Sequence, residues 1–237
     1  KKNYKEIIKI NKSNLINSTK LRMRSDVPIG FCMSSGVDSN GLISIAKKKL
    51  KQKIVAYTIY SKDKDYDEYK LTKKSAVKLR VKLNLVKVPK YNFLKNLEKI
   101  ISQRGYPIFT ISYYLHWHMM KKMKEDGIKV AISGSGADEI YSGYIDHFNQ
   151  YLYEIRNKKL LFKKTKRDWM MFFKKFIRNK NLKQNNIYIK NKNFRNHIYD
   201  RYPSKIFKNK KVIKFTEKSF TKDLLRNRMM NELFHEI

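Results

Sequence analysis

The sequence holds one cysteine (Cys32), four prolines and eight glycines among 237 residues. A lone cysteine excludes an internal disulfide and points to a reducing compartment, with the cytoplasm as the expected location. No apolar run approaches the roughly 18 residues of a membrane span. The opening Lys1-Lys2-Asn3-Tyr4 is charged and unlike a signal peptide. In that setting the glycosylation-like triplets at Asn11 and Asn17 are chance matches. Residue 1 falls inside a helical pattern and the last residues stop on an amphipathic stretch without a cap, so the sequence reads as a piece of a longer chain.

Acids are also scarce: 20 Asp and Glu face 55 Lys and Arg, for a formal net charge of +35. One reading of that excess is a nucleic-acid partner. The other is compositional bias, because Lys, Asn, Ile and Tyr are all abundant. Lysines are strewn along the whole chain instead of gathering in one stripe, which favours bias. Either way the field attracts anions at low salt. What is present in quantity is core material, 41% hydrophobic and 13% aromatic, as a folded globular protein requires.

Periodicity predicts helix over 4–25, with Tyr4, Ile7, Ile8, Leu15 and Leu21 at helical spacing, and then a buried strand over 27–33. Helix follows over 42–50 and a strand over 54–60. An acidic loop at 63–68 opens a helix through Lys82. A short strand at 85–88 ends at Pro89, and helices follow over 93–101 and 113–125, the latter stopped by Gly127. A fourth strand covers 128–132. Alternating strands and helices predict an α/β fold: a doubly wound parallel sheet with helices on both faces. From about residue 144 strand signals fade, and the remainder reads as helical and basic. Trp169, Phe172, Phe173 and Phe176 form an aromatic stripe expected to be helix core. Residues 179–196 read as loop or weak helix, and 218–236 as helix.

Two polar loops follow predicted strands, and ligands of such sheets sit at strand carboxyl ends. In the first, Ser34-Ser35-Gly36-Val37-Asp38-Ser39, a Ser/Gly turn opening a helix offers backbone N–H groups and hydroxyls to a phosphate. No Gly-Lys-Ser/Thr follows, so this is not a Walker loop. Asp38 would repel a bare phosphate but suits a magnesium ion bridging carboxylate and phosphate. The plainer alternative is a capped turn. The second loop, Ser133-Gly134-Ser135-Gly136-Ala137-Asp138-Glu139, again pairs small residues with acids. Its plainer alternative is a solvated turn. Two such loops in one chain are much less expected by chance than one.

Ser25 to Gly30 with Ser34 to Ser39 resembles the pyrophosphatase-loop signature of asparagine synthetases. Ile128 to Glu139, with Gly143-Tyr144, resembles their second signature, and Tyr57-Thr58 and Asp67-Glu68 lie between as in that family. The resemblance covers 20–150 well. It weakens over 151–237, where 224–234 is similar to the stretch before the family's final active-site segment. It implies an adenine nucleotide alpha-hydrolase-like nucleotide-binding core at 20–150, a helical basic extension at 151–237, and an N-terminal glutaminase domain outside this sequence. It further implies ATP with its pyrophosphate on residues 34–39, adenine at the backbone of Met33 and Ile59, and ribose and phosphate near Ser133 and Gly134. Asp38 and Asp138 match magnesium ligands, and Asp138 and Glu139 are the candidate catalytic acids. The implied reaction converts aspartate to asparagine through an acyl-adenylate, with ammonia supplied from glutamine. Implied partners are these small molecules, the glutaminase domain in cis and a second copy of the chain.

Three departures stand out. Ser35 replaces a glycine of the family loop. Ser135 sits where the family carries Asp or Glu as the presumed base, whose loss typically costs ~10²–10⁴-fold in rate. Arg104-Gly105-Tyr106 replaces the acidic pair before Pro107. Competing expectations are an amidotransferase for another carboxylate or sugar acid, a tRNA-modifying enzyme sharing the first loop, and a degenerate basic nucleic-acid-binding module. His116 and His118 lack a third zinc ligand nearby and read as ordinary helix histidines. His147, after Asp146, reads as a helix-start residue, with contact to a ligand as the alternative. Cys32, on a strand, is not a glutaminase nucleophile.

Overall fold

Four short β-rich runs become the parallel strands β1 (Ile29–Cys32), β2 (Val55–Tyr60), β3 (Lys82–Lys87) and β4 (Val130–Ile132). The structure is a computed structural model that describes residues 3–60, 67–89, 91–108, 110–177 and 217–235. The chain divides into two compact units, up to Gly134 and from Ser135 onward.

In the first unit the strand order is β3-β2-β1-β4. From β1 the chain passes through α2 (Val37–Ser44) to β2 and through α3 (Tyr69–Leu79) to β3. It then returns through α4 (Phe93–Arg104) and α5 (Ile111–Glu125) to β4, on the far side of β1. Right-handed crossovers running in opposite directions put helices on opposite faces. The core confirms this. Phe31, Met33, Ala56, Ile43, Ala46 and Ala76 form one apolar layer, and Tyr57, Val86, Met119 and Met123 form the other. Ala56 and Tyr57 are consecutive on β2 and serve different layers, as strand pleating requires. Each large apolar side chain fully buried there contributes about 1.5–3 kcal/mol.

Several expectations shift. The helix expected through Lys82 stops at Leu79, and Lys82 to Asn84 pair with Val55 to Tyr57 instead. Arg80 makes the stop: it is left-handed at φ 53°, and the Arg80 and Val81 N–H groups close onto the Val77 and Ala76 carbonyls at 3.0 Å each. A helix stop built on arginine carries no glycine signal. The expected helix at 42–50 starts earlier, at Val37, and runs into a wider π turn over Ile45–Lys49. The first helix, α1 (Tyr4–Arg22), is present, but Tyr4, Ile7, Ile8 and Leu21 are exposed and Thr19 is its buried residue. Gly127 ends α5 as expected: it is left-handed at φ 79° and donates to the Lys124 carbonyl at 3.0 Å. The acidic residues at 63–66 and the segment 179–196 lie outside the described residues.

The second unit contains α6 (Ala137–Tyr141), α7 (Ile145–Glu154), α8 (Lys159–Phe172), a 3₁₀ turn at Lys174–Phe176, and α9 (Leu224–His235). Leu152, Ile155, Trp169 and Ile177 form its apolar core. The aromatic stripe is only partly core: Trp169 is buried, whereas Phe172 and Phe173 are exposed. Phe173 packs against Phe148 with the rings tilted at 41° and 4.5 Å between ring centroids. The last helix starts at Leu224, not 218, because Asp223 caps it, its Oδ1 accepting the Arg226 N–H at 2.8 Å.

Candidate functional site

The loop 34–39 leaves the carboxyl end of β1 and folds on itself. Ser39 Oγ accepts the Ser34 N–H at 3.1 Å and lies 3.0 Å from Ser34 Oγ, which in turn accepts the Gly36 N–H at 3.1 Å. Asn40 Nδ2 donates to the Ser34 and Gly36 carbonyls at 2.9 and 2.7 Å. The helix α2 starts at Val37, so Asp38 stands in its first turn, beside the positive end of the helix.

Ser133 and Gly134 leave β4, the neighbour of β1. A Cβ on Gly134 would lie 2.9 Å from the Ser39 nitrogen and 3.0 Å from Asp38 Cβ. The backbone of the second loop therefore rests directly on the first turn of α2, which only glycine permits. Strand order reverses between β1 and β4, so both loops emerge at the switch point where doubly wound sheets take ligands. Met33 is buried in one apolar layer, and its N–H donates to the Tyr57 carbonyl at 2.8 Å. Ile59 stands on β2 and packs into the other layer. Among the expected site residues of the first unit, Ser34, Ser35, Gly36, Asp38, Ser39, Ser133 and Gly134 thus come together at one sheet edge. Met33, just past β1, and Ile59, on β2, flank them.

Glu68 completes this loop. The Ser35 N–H and hydroxyl both donate to Glu68 Oε2, at 3.2 and 2.8 Å. Asn40 and Glu68 were not among the expected site residues. Asn40 directly follows Ser39, so its place was readable; the reach of Glu68 from 33 residues away was not.

In the second unit Ser135 leads into α6, whose first turn carries Asp138 and Glu139. A Cβ on Gly143 would collide with the Asp138 carboxylate, so the Gly143 backbone lies directly against that acid. Glu139 is buried. Its Oε1 accepts the Tyr144 hydroxyl at 2.5 Å, and its Oε2 has no hydrogen-bond partner among the described residues. Burial and the neighbouring Glu139 carboxylate push the Tyr144 phenol up, so that it stays a donor.

The same unit holds a buried polar cluster that sequence reasoning missed. The Gly143 N–H donates to His147 Nδ1 at 3.2 Å, which leaves the ring proton on Nε2, 2.6 Å from Glu232 Oε2. Arg228, fully buried, donates from Nε to Glu232 Oε1 and from a terminal nitrogen to Glu217, each at 2.8 Å. Asp146, His147 and Glu232 bring ligand-type atoms within 4.8 Å of one another. With His147 Nε2 acting as donor and Glu232 tied to a guanidinium, the cluster works as an internal clamp. Its signal in the sequence was only charged residues on a basic helix.

Elsewhere, burial pushes the Cys32 thiol up to about 11, which keeps it from being a nucleophile. His118 is buried, and its pKa is lowered by burial and then by Lys121; His116 is exposed.

A parallel sheet of this order, wound on both faces and carrying two glycine-bearing polar loops at its switch point, defines an α/β chain of the adenine nucleotide alpha-hydrolase-like class. Comparison with protein families narrows the class. The chain belongs to the asparagine synthase family, which matches residues 12–233. It is 28% identical over 140 residues to the glutamine-hydrolysing asparagine synthetase 1 of Bacillus subtilis, covering 59% of this chain and 22% of that protein. It is 30% identical over 169 residues to a putative asparagine synthetase 1 of Methanocaldococcus jannaschii, covering 68% and 29%. The amidase chyE of Penicillium rubens is 24% identical over 153 residues, covering 59% and 23%. The chain therefore spans between a fifth and a third of the length of these relatives.

Proposed function

We propose that this chain is part of a synthetase that uses ATP to convert aspartate to asparagine. The observation that carries the reading is the meeting of the 34–39 loop and Ser133-Gly134 at the β1/β4 switch point, with Gly134 packed on Asp38 and Ser39. In this reading residues 20–150 are the nucleotide-binding core. The pyrophosphate of ATP takes the 34–39 loop, adenine lies at the Met33 and Ile59 backbones, and ribose and phosphate lie near Ser133 and Gly134. A side-chain carboxylate oxygen of aspartate attacks the α-phosphorus, the bond to the β-phosphate oxygen breaks, and pyrophosphate leaves. Ammonia nitrogen then attacks the acyl carbon, the bond to AMP breaks, and the nitrogen loses a proton. In the whole protein the ammonia comes from glutamine.

The chain contributes positioning and charge neutralisation. Magnesium suits the donor sets: Asp38 is an oxygen ligand at a phosphate loop, and α6 presents Asp138 beside Glu139, whose Oε2 is buried without a hydrogen-bond partner among the described residues. When bound, the ion neutralises phosphate charge. We assign magnesium-ligand roles to Asp38 and to Asp138, and acceptance of the ammonia proton to Asp138 and Glu139, because Ser135 has no basic group.

A second reading is amidation of a different carboxylate by the same chemistry; the relatives are not all asparagine synthetases by name, two being named amidases. The direct test is calorimetric titration of this chain with ATP and magnesium, against Asp38→Ala. The expected outcome is saturable binding that the substitution weakens by at least about ten-fold. Absence of binding by the unmutated chain, together with salt-sensitive RNA binding, overturns the reading in favour of a nucleic-acid module. Pyrophosphate release with various carboxylic acids and ammonia, measured on the complete protein, separates aspartate from other acceptors.

A further inference from the structure

The contacts of Ser35 show what its hydroxyl does in the 34–39 loop. Both polar groups of Ser35, the backbone N–H and the hydroxyl, donate to a single oxygen, Glu68 Oε2, at 3.2 and 2.8 Å. Its two neighbouring N–H groups are also spent inside the loop, Ser34 N–H on Ser39 Oγ and Gly36 N–H on Ser34 Oγ. A glycine at position 35 would offer one donor to the carboxylate; serine offers two.

Glu68 is well placed for the role. It immediately precedes α3, and its carbonyl accepts both the N–H and the hydroxyl of Thr72 at 2.9 Å. Thr72 is fully buried, so the backbone of Glu68 is anchored to a rigid helix. β2 lies beside β1 in the sheet, so the segment entering α3 reaches the loop that follows β1. The Asp67 side chain caps the same helix start by accepting the Tyr69 N–H at 3.0 Å. Glu68 is thus the acid aimed at the loop and Asp67 the one that holds the turn.

We infer that the Glu68 carboxylate is a built-in stand-in for a phosphate: it occupies the Ser35 donors of the 34–39 loop, and an incoming phosphate must displace it. The inference rests on the proposed nucleotide site. A carboxylate hydrogen-bonded to N–H and O–H groups imitates an anionic oxygen of phosphate, and it repels a second anion at the same donors. Ser35 is the determinant of this contact, because its hydroxyl makes the shorter of the two bonds. The consequence is lowered affinity for anions that arrive without a cation, such as free pyrophosphate.

The test uses this chain and two substitutions, Glu68→Gln and Ser35→Gly, titrated calorimetrically with inorganic pyrophosphate and with ATP and magnesium. Hydrogen exchange of the Ser35 amide without ligand reports the contact itself. Glu68→Gln keeps a hydrogen-bonding side chain while removing its charge, and is expected to bind pyrophosphate about ten-fold tighter than the unmutated chain. Ser35→Gly is expected to move affinity in the same direction by a smaller factor. The Ser35 amide is expected to exchange faster in Glu68→Gln. Where the unmutated chain binds, equal or weaker binding by Glu68→Gln overturns the inference alone and makes Glu68 a working part of the site. An unprotected Ser35 amide in the unmutated chain overturns it as well. If none of the three proteins binds pyrophosphate or ATP while the Ser35 amide stays protected, the nucleotide reading fails and the stand-in role fails with it.

Discussion

At Gly134 the physics comes down to the space for one carbon. An added Cβ would meet the backbone nitrogen of Ser39 at 2.9 Å and Asp38 Cβ at 3.0 Å. The nitrogen belongs to the first turn of α2 and cannot swing aside as a long side chain would. Gly134→Ala therefore has to push the two loops apart, an overpacking cost of roughly 1–3 kcal/mol. Loss of ATP affinity should accompany the loss of stability, since the displaced atoms carry the Asp38 and Ser39 side chains. Urea unfolding read beside the ATP titration checks both. An alanine variant with unchanged midpoint and unchanged affinity would mean that the loops do not touch in solution. Asn40 acts at the same scale, since one amide holds two carbonyls of the loop.

At the scale of elements, α9 presents the sharpest test, because its face is polar and yet buried. Arg228, Asn231 and Glu232 are all at most 2% exposed. Glu232 joins Arg228 to His147, and His147 holds the Gly143 N–H in the turn that lies against Asp138. Glu232→Ala would leave the buried imidazole proton without its acceptor and would take from the buried guanidinium one of its carboxylates, Glu217 staying bound, at a cost of about 1–3 kcal/mol for each donor left unsatisfied. Glu232→Gln retains an acceptor and is expected to cost markedly less. Thermal unfolding of the two variants gives the comparison, and equal losses would show that the charge of Glu232 is not what matters. Neither Arg228 nor Glu232 could be singled out from the sequence, because helix periodicity marks apolar faces and this buried face is charged. The strands and their order of appearance were legible, since short apolar runs alternate with helical stretches. The boundary at Leu79 was not, because arginine supplies the left-handed residue where glycine would have signalled a stop. The first loop was legible in its own residues. Glu68, its closing acid, was not, because sequence distance hides the adjacency of β1 and β2. The Phe172 and Phe173 expectation failed for a related reason: helical spacing identifies one face of α8 without telling whether anything covers it.

For the whole molecule the governing quantity is the net charge of +35. With 55 basic and 20 acidic side chains, most cations cannot have an acidic neighbour even if every acid were paired. Several acids are moreover committed to internal duties: Glu68 to Ser35, Asp126 to Lys122 and Tyr57, and Glu232 to the buried arginine. The remaining lysines repel one another at separations that salt screens, since the Debye length falls from ~30 Å at 0.01 M to ~3 Å at 1 M ionic strength. The unfolded chain spreads the same charges farther apart, so screening should favour the folded form. The melting temperature of this chain is therefore expected to rise by several degrees between about 0.01 and 0.5 M sodium chloride. Over the same range any binding of phosphate-containing ligands that depends on the general field should weaken. Binding that depends on the 34–39 loop should persist, because its hydrogen bonds are made at contact distance. A melting temperature that falls with salt would show that paired charges, not the lysine excess, dominate stability. ATP binding that disappears with salt in parallel with RNA binding would assign the anion affinity to the surface field and not to the loop.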